Sequence, residues 1–162
     1  MTAPTAADRT PDLLYSQDEE DLRAAVRSLL ADRADAPSVI ARTESNTPYD
    51  QELWQALATG IGAAGLLVPE HLGGQGATHR EAAVVLEELG RSVAPAPFLT
   101  SSVVATETLL ALDAQDGPAA ALLAELAGGR KVAVLAVPFA ASAAPAGAPD
   151  RGPGSGGLHA VT

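Results

Sequence analysis

The chemically capable side chains of this 162-residue chain are three histidines, twenty acidic and ten basic residues, and no cysteine. Without cysteine there is no disulfide, no thiolate metal site and no cysteine nucleophile. His71, His79 and His159 are never four residues apart, so no helical metal pair forms; His71 with Glu70 and His79 with Glu81 give single pairs at most. Glu87-Glu88 is the one carboxylate pair in a strongly apolar stretch. Adjacent helical residues point about 100° apart, which argues against a shared acid/base dyad, and Arg91 stands where an i,i+4 ion pair with Glu87 is expected. No Gly-x-Ser-x-Gly string or other nucleophile context occurs. Gly60-Ile61-Gly62-Ala63-Ala64-Gly65 matches the dinucleotide fingerprint as a string. That mechanism needs a strand before the glycines and a helix after them. Here a helical pattern precedes and Leu66-Leu67-Val68-Pro69 follows, so a helix end and a turn are expected. Gly73-Gly74-Gln75-Gly76 lacks the Lys-Ser/Thr pair of a phosphate loop and is expected to be a flexible connection.

The elements that would position these residues are mostly helical. The chain is rich in alanine, with 3% aromatic residues and a net charge of −10. Small side chains imply closely approaching helices. The acidic balance argues against nucleic acid or an anionic membrane as partner, since both demand Lys/Arg clusters. The first ten residues lack the basic and apolar regions of a signal peptide. The uncharged run Val132–Pro149 is broken by Pro138, Pro145 and Pro149 and is no membrane span. A cytoplasmic protein is expected.

Residues 1–12 read as a disordered lead. Ser16 and Glu19 form a capping box that opens a helix, with Leu22, Val26, Leu29 and Leu30 on one face. Ala34–Asn46 reads as polar and irregular. Thr47 and Pro48 are expected to start a second helix with Leu53, Trp54, Leu57 and Ile61 buried and Gly60 and Gly62 at its end. Leu66–Pro69 is expected to be extended. Thr78 and Glu81 form another capping box, opening a helix with Val84, Val85, Leu86 and Leu89 that stops at Gly90. Pro95 and Pro97 bracket a turn into a helix carrying Val103, Val104, Leu109 and Leu110, and Pro118 opens a last one closed by Gly128-Gly129. Lys131–Val137 then alternates like a strand, residues 140–157 are an Ala/Gly/Pro/Ser loop, and Leu158–Val161 reads as a second strand. The expected organisation is mainly α: a helical bundle over residues 13–129, then the start of a β-domain over 130–162 that is left incomplete.

Between Leu66 and Leu99 the sequence resembles the N-terminal domain of the acyl-CoA dehydrogenases, and most of all actinobacterial members. The residues that carry the likeness are Leu53-Trp54 with Leu57-Ala58, Gly62 and Gly65-Leu66, and Val68-Pro69-Glu70. Gly73-Gly74-x-Gly76, Glu81-Ala82-Ala83-Val84-Val85, Leu86-Glu87-Glu88-Leu89-Gly90-Arg91 and Pro97-Phe98-Leu99 continue it in order. The resemblance implies α,β-dehydrogenation of an acyl-CoA thioester with FAD, in an enzyme with a helical N-terminal domain, a β-domain and a C-terminal helical domain that supplies the glutamate base. It implies that this chain is the N-terminal portion of such an enzyme, without the base and with most of the flavin site elsewhere, so that FAD is not held by this chain alone. The family's flavin-proximal Thr-Glu-Pro-x-x-Gly-Ser-Asp segment corresponds here to Ala136–Ala143, where Pro138 and Ser142 match and the Thr, Glu, Gly and Asp do not. The resemblance further implies a homo- or hetero-oligomer, and Phe98, Ser101 and Ala105 as the substrate-binding residues at the end of the acyl pocket. The alternative is a non-catalytic partner subunit that docks on a complete dehydrogenase.

Overall fold

The computed structural model describes residues 13–47, 49–112 and 117–137, with the backbone of 157–161. The lead expected at 1–12, Pro48 and nearly all of the loop expected at 140–157 lie outside these residues.

Helix α1 spans Gln17–Arg33 and starts as its sequence demands: the Ser16 hydroxyl accepts from the Glu19 amide while the Glu19 carboxylate accepts from the Ser16 amide. Val26 and Leu30 are buried, with Leu22 and Leu29 packed against the same core. The stretch expected to be irregular instead forms α2, Ala36–Thr43, because Asp35 caps it by accepting from the Ser38 amide at 3.1 Å and Pro37 sits in its first turn. None of its residues is buried.

Helix α3, Gln51–Gln55, is capped by Asp50 and not by Thr47 as expected. The Asp50 carboxylate accepts from the Leu53 amide at 3.0 Å and from Arg42 at 3.1 Å, while the Thr47 hydroxyl accepts from Arg42. A carboxylate already held in place three residues before the open amide outcompetes a hydroxyl further upstream. The helix then widens into a π-helical turn, Ala56–Ile61, and stops at Gly62, whose φ of 79° is the left-handed conformation that terminates helices. A short 3-10 turn, Ala63–Gly65, follows, and the segment expected to be extended, Leu66–Pro69, instead opens in helical geometry at Leu66 and turns through Leu67 and Val68. Proline constrains only the residue before it, so Leu66 and Leu67 are free to turn.

Helix α4, His79–Arg91, carries the second capping box, Thr78 with Glu81, and buries Ala82, Val84, Val85, Glu88 and Leu89. It lies along α1 in the same direction. After the turn through Pro95 and Pro97, the expected single α-helix is a π-helix, Phe98–Ala105, that tightens into α5, Thr106–Leu110. Helix α6 spans Gly117–Ala127. Strand β1, Val132–Ala136, pairs antiparallel with β2, Gly157–Val161, with Val132 opposite Val161 and Ala136 opposite Gly157. One core gathers α1, α3, α4 and Phe98 around Trp54 and Leu57; a second gathers Val68, Ala105, Leu109, Leu123, Leu126 and Ala133.

Candidate functional site

The residues expected to meet substrate come together on one segment. Phe98, Ser101 and Ala105 lie on the buried side of the π-helix, each 1% exposed or less. Phe98 belongs to the first core and Ala105 to the second, so the segment is the seam between them. In a π-helix the carbonyl of residue i takes the amide of i+5, and such turns collect at functional positions. Here the Ser101 carbonyl accepts both the amide and the hydroxyl of Thr106. The Ser101 hydroxyl in turn accepts the Ala133 amide at 3.1 Å, which fastens β1 to the helix. The neighbouring Ser102 hydroxyl is also buried and has no hydrogen-bond partner among the described residues. On the outer side, Leu99 and Val104 are 52% and 38% exposed.

Away from this segment, an ionic seam joins α1 to α4. Arg27 grips the buried Glu88 carboxylate with two bonds, at 2.9 and 2.7 Å, and Arg23 reaches both Glu88 at 3.2 Å and Glu87 at 2.7 Å. The Tyr15 hydroxyl donates to Glu87, and its ring lies under the Arg23 guanidinium. At the helix starts, Arg80 holds the buried Glu19 at 2.6 Å. Arg91 pairs loosely with Glu88, three residues before it, at 3.7 Å, and not with Glu87 as expected; Arg23 and Tyr15 hold Glu87. His79 pairs with Glu107 on α5 at 3.0 Å, and Glu81 is engaged by Thr78. The hydrogen bond from Arg80 holds the Glu19 carboxyl down at about 2, and the bonds from Arg27 and Arg23 lower Glu88 and Glu87 respectively. Both glutamates of the pair thus remain charged and bound to arginine. Neither is poised as a proton-transfer group, which accords with the geometric argument against a dyad.

The glycine motifs do not form a phosphate cradle. The amides of Gly73, Gly74, Gln75, Gly76 and Ala77 are donated to the carbonyls of Glu70, Pro69, Gly65, Val68 and Leu66. Gly74 sits so close to the chain that a Cβ there would lie 2.0 Å from the Val68 carbonyl oxygen. The Gly60–Gly65 string follows a helix and caps it. With these amides committed to its own chain, the glycine loop offers no backbone donors to a diphosphate. No group of three or more potential metal ligands occurs among them either, and no helix among them is long and apolar enough to cross a membrane.

Residues 16–130 match the model of the acyl-CoA dehydrogenase N-terminal domain. The chain is 40% identical over 119 residues to acyl-CoA dehydrogenase IpdE2 of Mycobacterium tuberculosis, covering 74% of this chain and 36% of the relative. It is 38% identical over 120 residues to the Mycolicibacterium smegmatis protein of the same name, covering 74% and 37%. Among solved structures it is similar to a variant of the Tcur3481-Tcur3483 steroid ACAD, with TM-score 0.61 and 31% identity over 70% of this chain and 30% of that one. It is also similar to a chain of the ChsE4-ChsE5 complex from Mycobacterium tuberculosis, with TM-score 0.64 and 25% identity over 75% and 33%. The chain spans about a third of the length of the curated relatives it matches. The capped α1 and α4, the spent glycine loop and the π-helix that follows thus lie within a recognised domain, and the chain belongs to the acyl-CoA dehydrogenase family, in which it corresponds to the N-terminal helical domain.

Proposed function

We propose that the chain serves as the N-terminal helical domain of an FAD-dependent enzyme that introduces an α,β double bond into an acyl-CoA thioester, in the cytoplasm. The family match over residues 16–130 carries this assignment. In such an enzyme the flavin supplies the hydride acceptor. Neither it nor the carboxylate base is provided by the residues described here, and the strand pair from Val132 would be the opening of the β-domain. The contribution of this domain is shape: Phe98, Ser101 and Ala105 would close the far end of the acyl pocket, the π-helix being fixed to β1 by the bond from the Ala133 amide to the Ser101 hydroxyl. The steroid activity named for one structural neighbour favours a bulky, ring-bearing acyl group.

The test is a chimera in which residues 16–137 replace the matching region of the Mycobacterium tuberculosis relative. Phe98→Leu, which opens room at the cost of a cavity in the core, is expected to change the ratio of KM for ring-bearing and short linear acyl-CoA substrates. An unchanged ratio would remove Phe98 from the pocket. A second assignment, a non-catalytic subunit docked on a complete dehydrogenase, is favoured by one observation: a solved neighbour is a complex of two differently named chains. Co-expression with a complete relative and co-purification as a stoichiometric complex would support it.

A further inference from the structure

Ser101 is 1% exposed, and the atoms it uses are turned to the protein itself. Its carbonyl takes the amide and the hydroxyl of Thr106, where the helix is widened. Its hydroxyl accepts the Ala133 amide at 3.1 Å, and Ala133 is fully buried in the second core. Among the described residues no other hydrogen bond joins β1 to the helices. The strand pair gives that bond its weight. In an antiparallel pair, successive residues turn their amides alternately toward and away from the partner strand. Ala133 gives its amide to Ser101, so it turns away from β2, while its neighbours Val132 and Val134 stand opposite Val161 and His159. The Ser101 hydroxyl thus stands where the carbonyl of a further strand would stand.

A slip of one residue along β1 would exchange the two faces of the strand. It would take Ala133 out of the second core and leave a buried amide without an acceptor, which is costly. The hydroxyl therefore holds β1 at one register against the π-helix. Its neighbour Ser102 is 2% exposed and bonds to nothing among the described residues, so of two adjacent buried hydroxyls only one reaches β1. We propose that Ser101 is a positioning residue: its hydroxyl sets β1 against the π-helix and so places the opening of the β-domain relative to the wall of the acyl pocket, without itself touching the acyl group. Its effect on turnover rests on the dehydrogenase reading above; its hold on β1 does not.

The first measurement is amide hydrogen exchange at Ala133 in the full chain. Ser101→Ala removes the acceptor and is expected to speed that exchange about tenfold or more. Ser101→Cys keeps the bulk of the side chain but offers sulfur, a weak acceptor, and is expected to match Ser101→Ala. Ser102→Ala removes a hydroxyl with no partner and is expected to leave the exchange unchanged. If Ser101→Cys behaves as the wild type, or Ser102→Ala loosens β1 as much as Ser101→Ala, packing and not the bond holds the strand and the proposal falls. The second measurement is the rate of flavin reduction in the chimera described above, with ring-bearing and with short linear acyl-CoA. Ser101→Ala is expected to lower both rates by the same factor, roughly tenfold, as misplacement of a site does, whereas Phe98→Leu alters selectivity. A changed ratio of the two rates makes Ser101 a substrate contact, and unchanged rates with β1 loosened make it structural only; either result overturns the proposal. A chimera with Ser101 intact whose flavin no acyl-CoA reduces counts against the dehydrogenase reading, and the exchange at Ala133 then decides the hold on β1 by itself.

Discussion

At the scale of single residues, the charge pair that looked most catalytic is the most firmly structural. Glu88 is 1% exposed and bonded to Arg27 and Arg23, whereas the side chain of its neighbour Glu87 is half exposed. Glu88→Gln removes the charge that compensates two arginines, and breaking such a buried pair is costly. The exposure of Arg27 discounts that cost, so a loss of about 2 kcal/mol is expected in urea unfolding. Glu87→Gln is expected to cost less than Glu88→Gln, since an exposed pair contributes little. The seam also sets a pH dependence. Carboxylates whose folded-state pKa lies below the unfolded value stabilise the fold above the unfolded pKa and lose that contribution as pH falls. For Glu19 the window runs from the ordinary value of 4.5 down to about 2. Melting temperature should therefore be nearly flat above that window and fall through it, and Arg80→Met should flatten the acid limb. None of this was legible in the sequence, because the partners lie 61 to 65 residues apart. Adjacent glutamates and a nearby Arg91 suggested a local pair when a distant one had already formed.

At the scale of elements, what was legible is what is local. The capping boxes at Ser16 and Thr78 formed as read, since cap chemistry needs only three residues. Two departures have different causes. Helix α2 was missed because it has no buried stripe to produce a period. The helix expected from Phe98 widens into a π-helix, in which the Ser101 carbonyl takes both the amide and the hydroxyl of Thr106 while the Ser101 hydroxyl takes the Ala133 amide, contacts no local pattern announces. The glycine loop lacks a phosphate-gripping lysine and is expected to be a flexible connection, whereas the structure shows a tight turn whose amides are bonded to its own chain. Gly74→Ala would drive a methyl into the Val68 carbonyl, and an immovable backbone atom leaves no cheap relief. The expected cost is about 3 kcal/mol or more, in line with severe overpacking, read by thermal or urea unfolding.

At the scale of the molecule, sequence and structure agree on a mainly helical domain followed by strands, and on family. The site is only half legible. Phe98, Ser101 and Ala105 could be placed together by resemblance, but that Ser101 fastens β1 to the π-helix, and that Ser102 is buried beside it without a partner, are tertiary facts. Since the glycine loop donates its amides to its own chain, the purified chain is expected to carry no flavin absorbance. Stoichiometric FAD on the isolated chain would contradict that account of the loop. The most direct measurement is anaerobic addition of a ring-bearing acyl-CoA to the chimera of residues 16–137 with the remainder of the mycobacterial relative. Loss of the oxidised-flavin absorbance is the result this account requires of the wild-type domain. A folded, FAD-loaded chimera whose flavin stays oxidised with every acyl-CoA tried, while the unaltered relative is reduced, would contradict it.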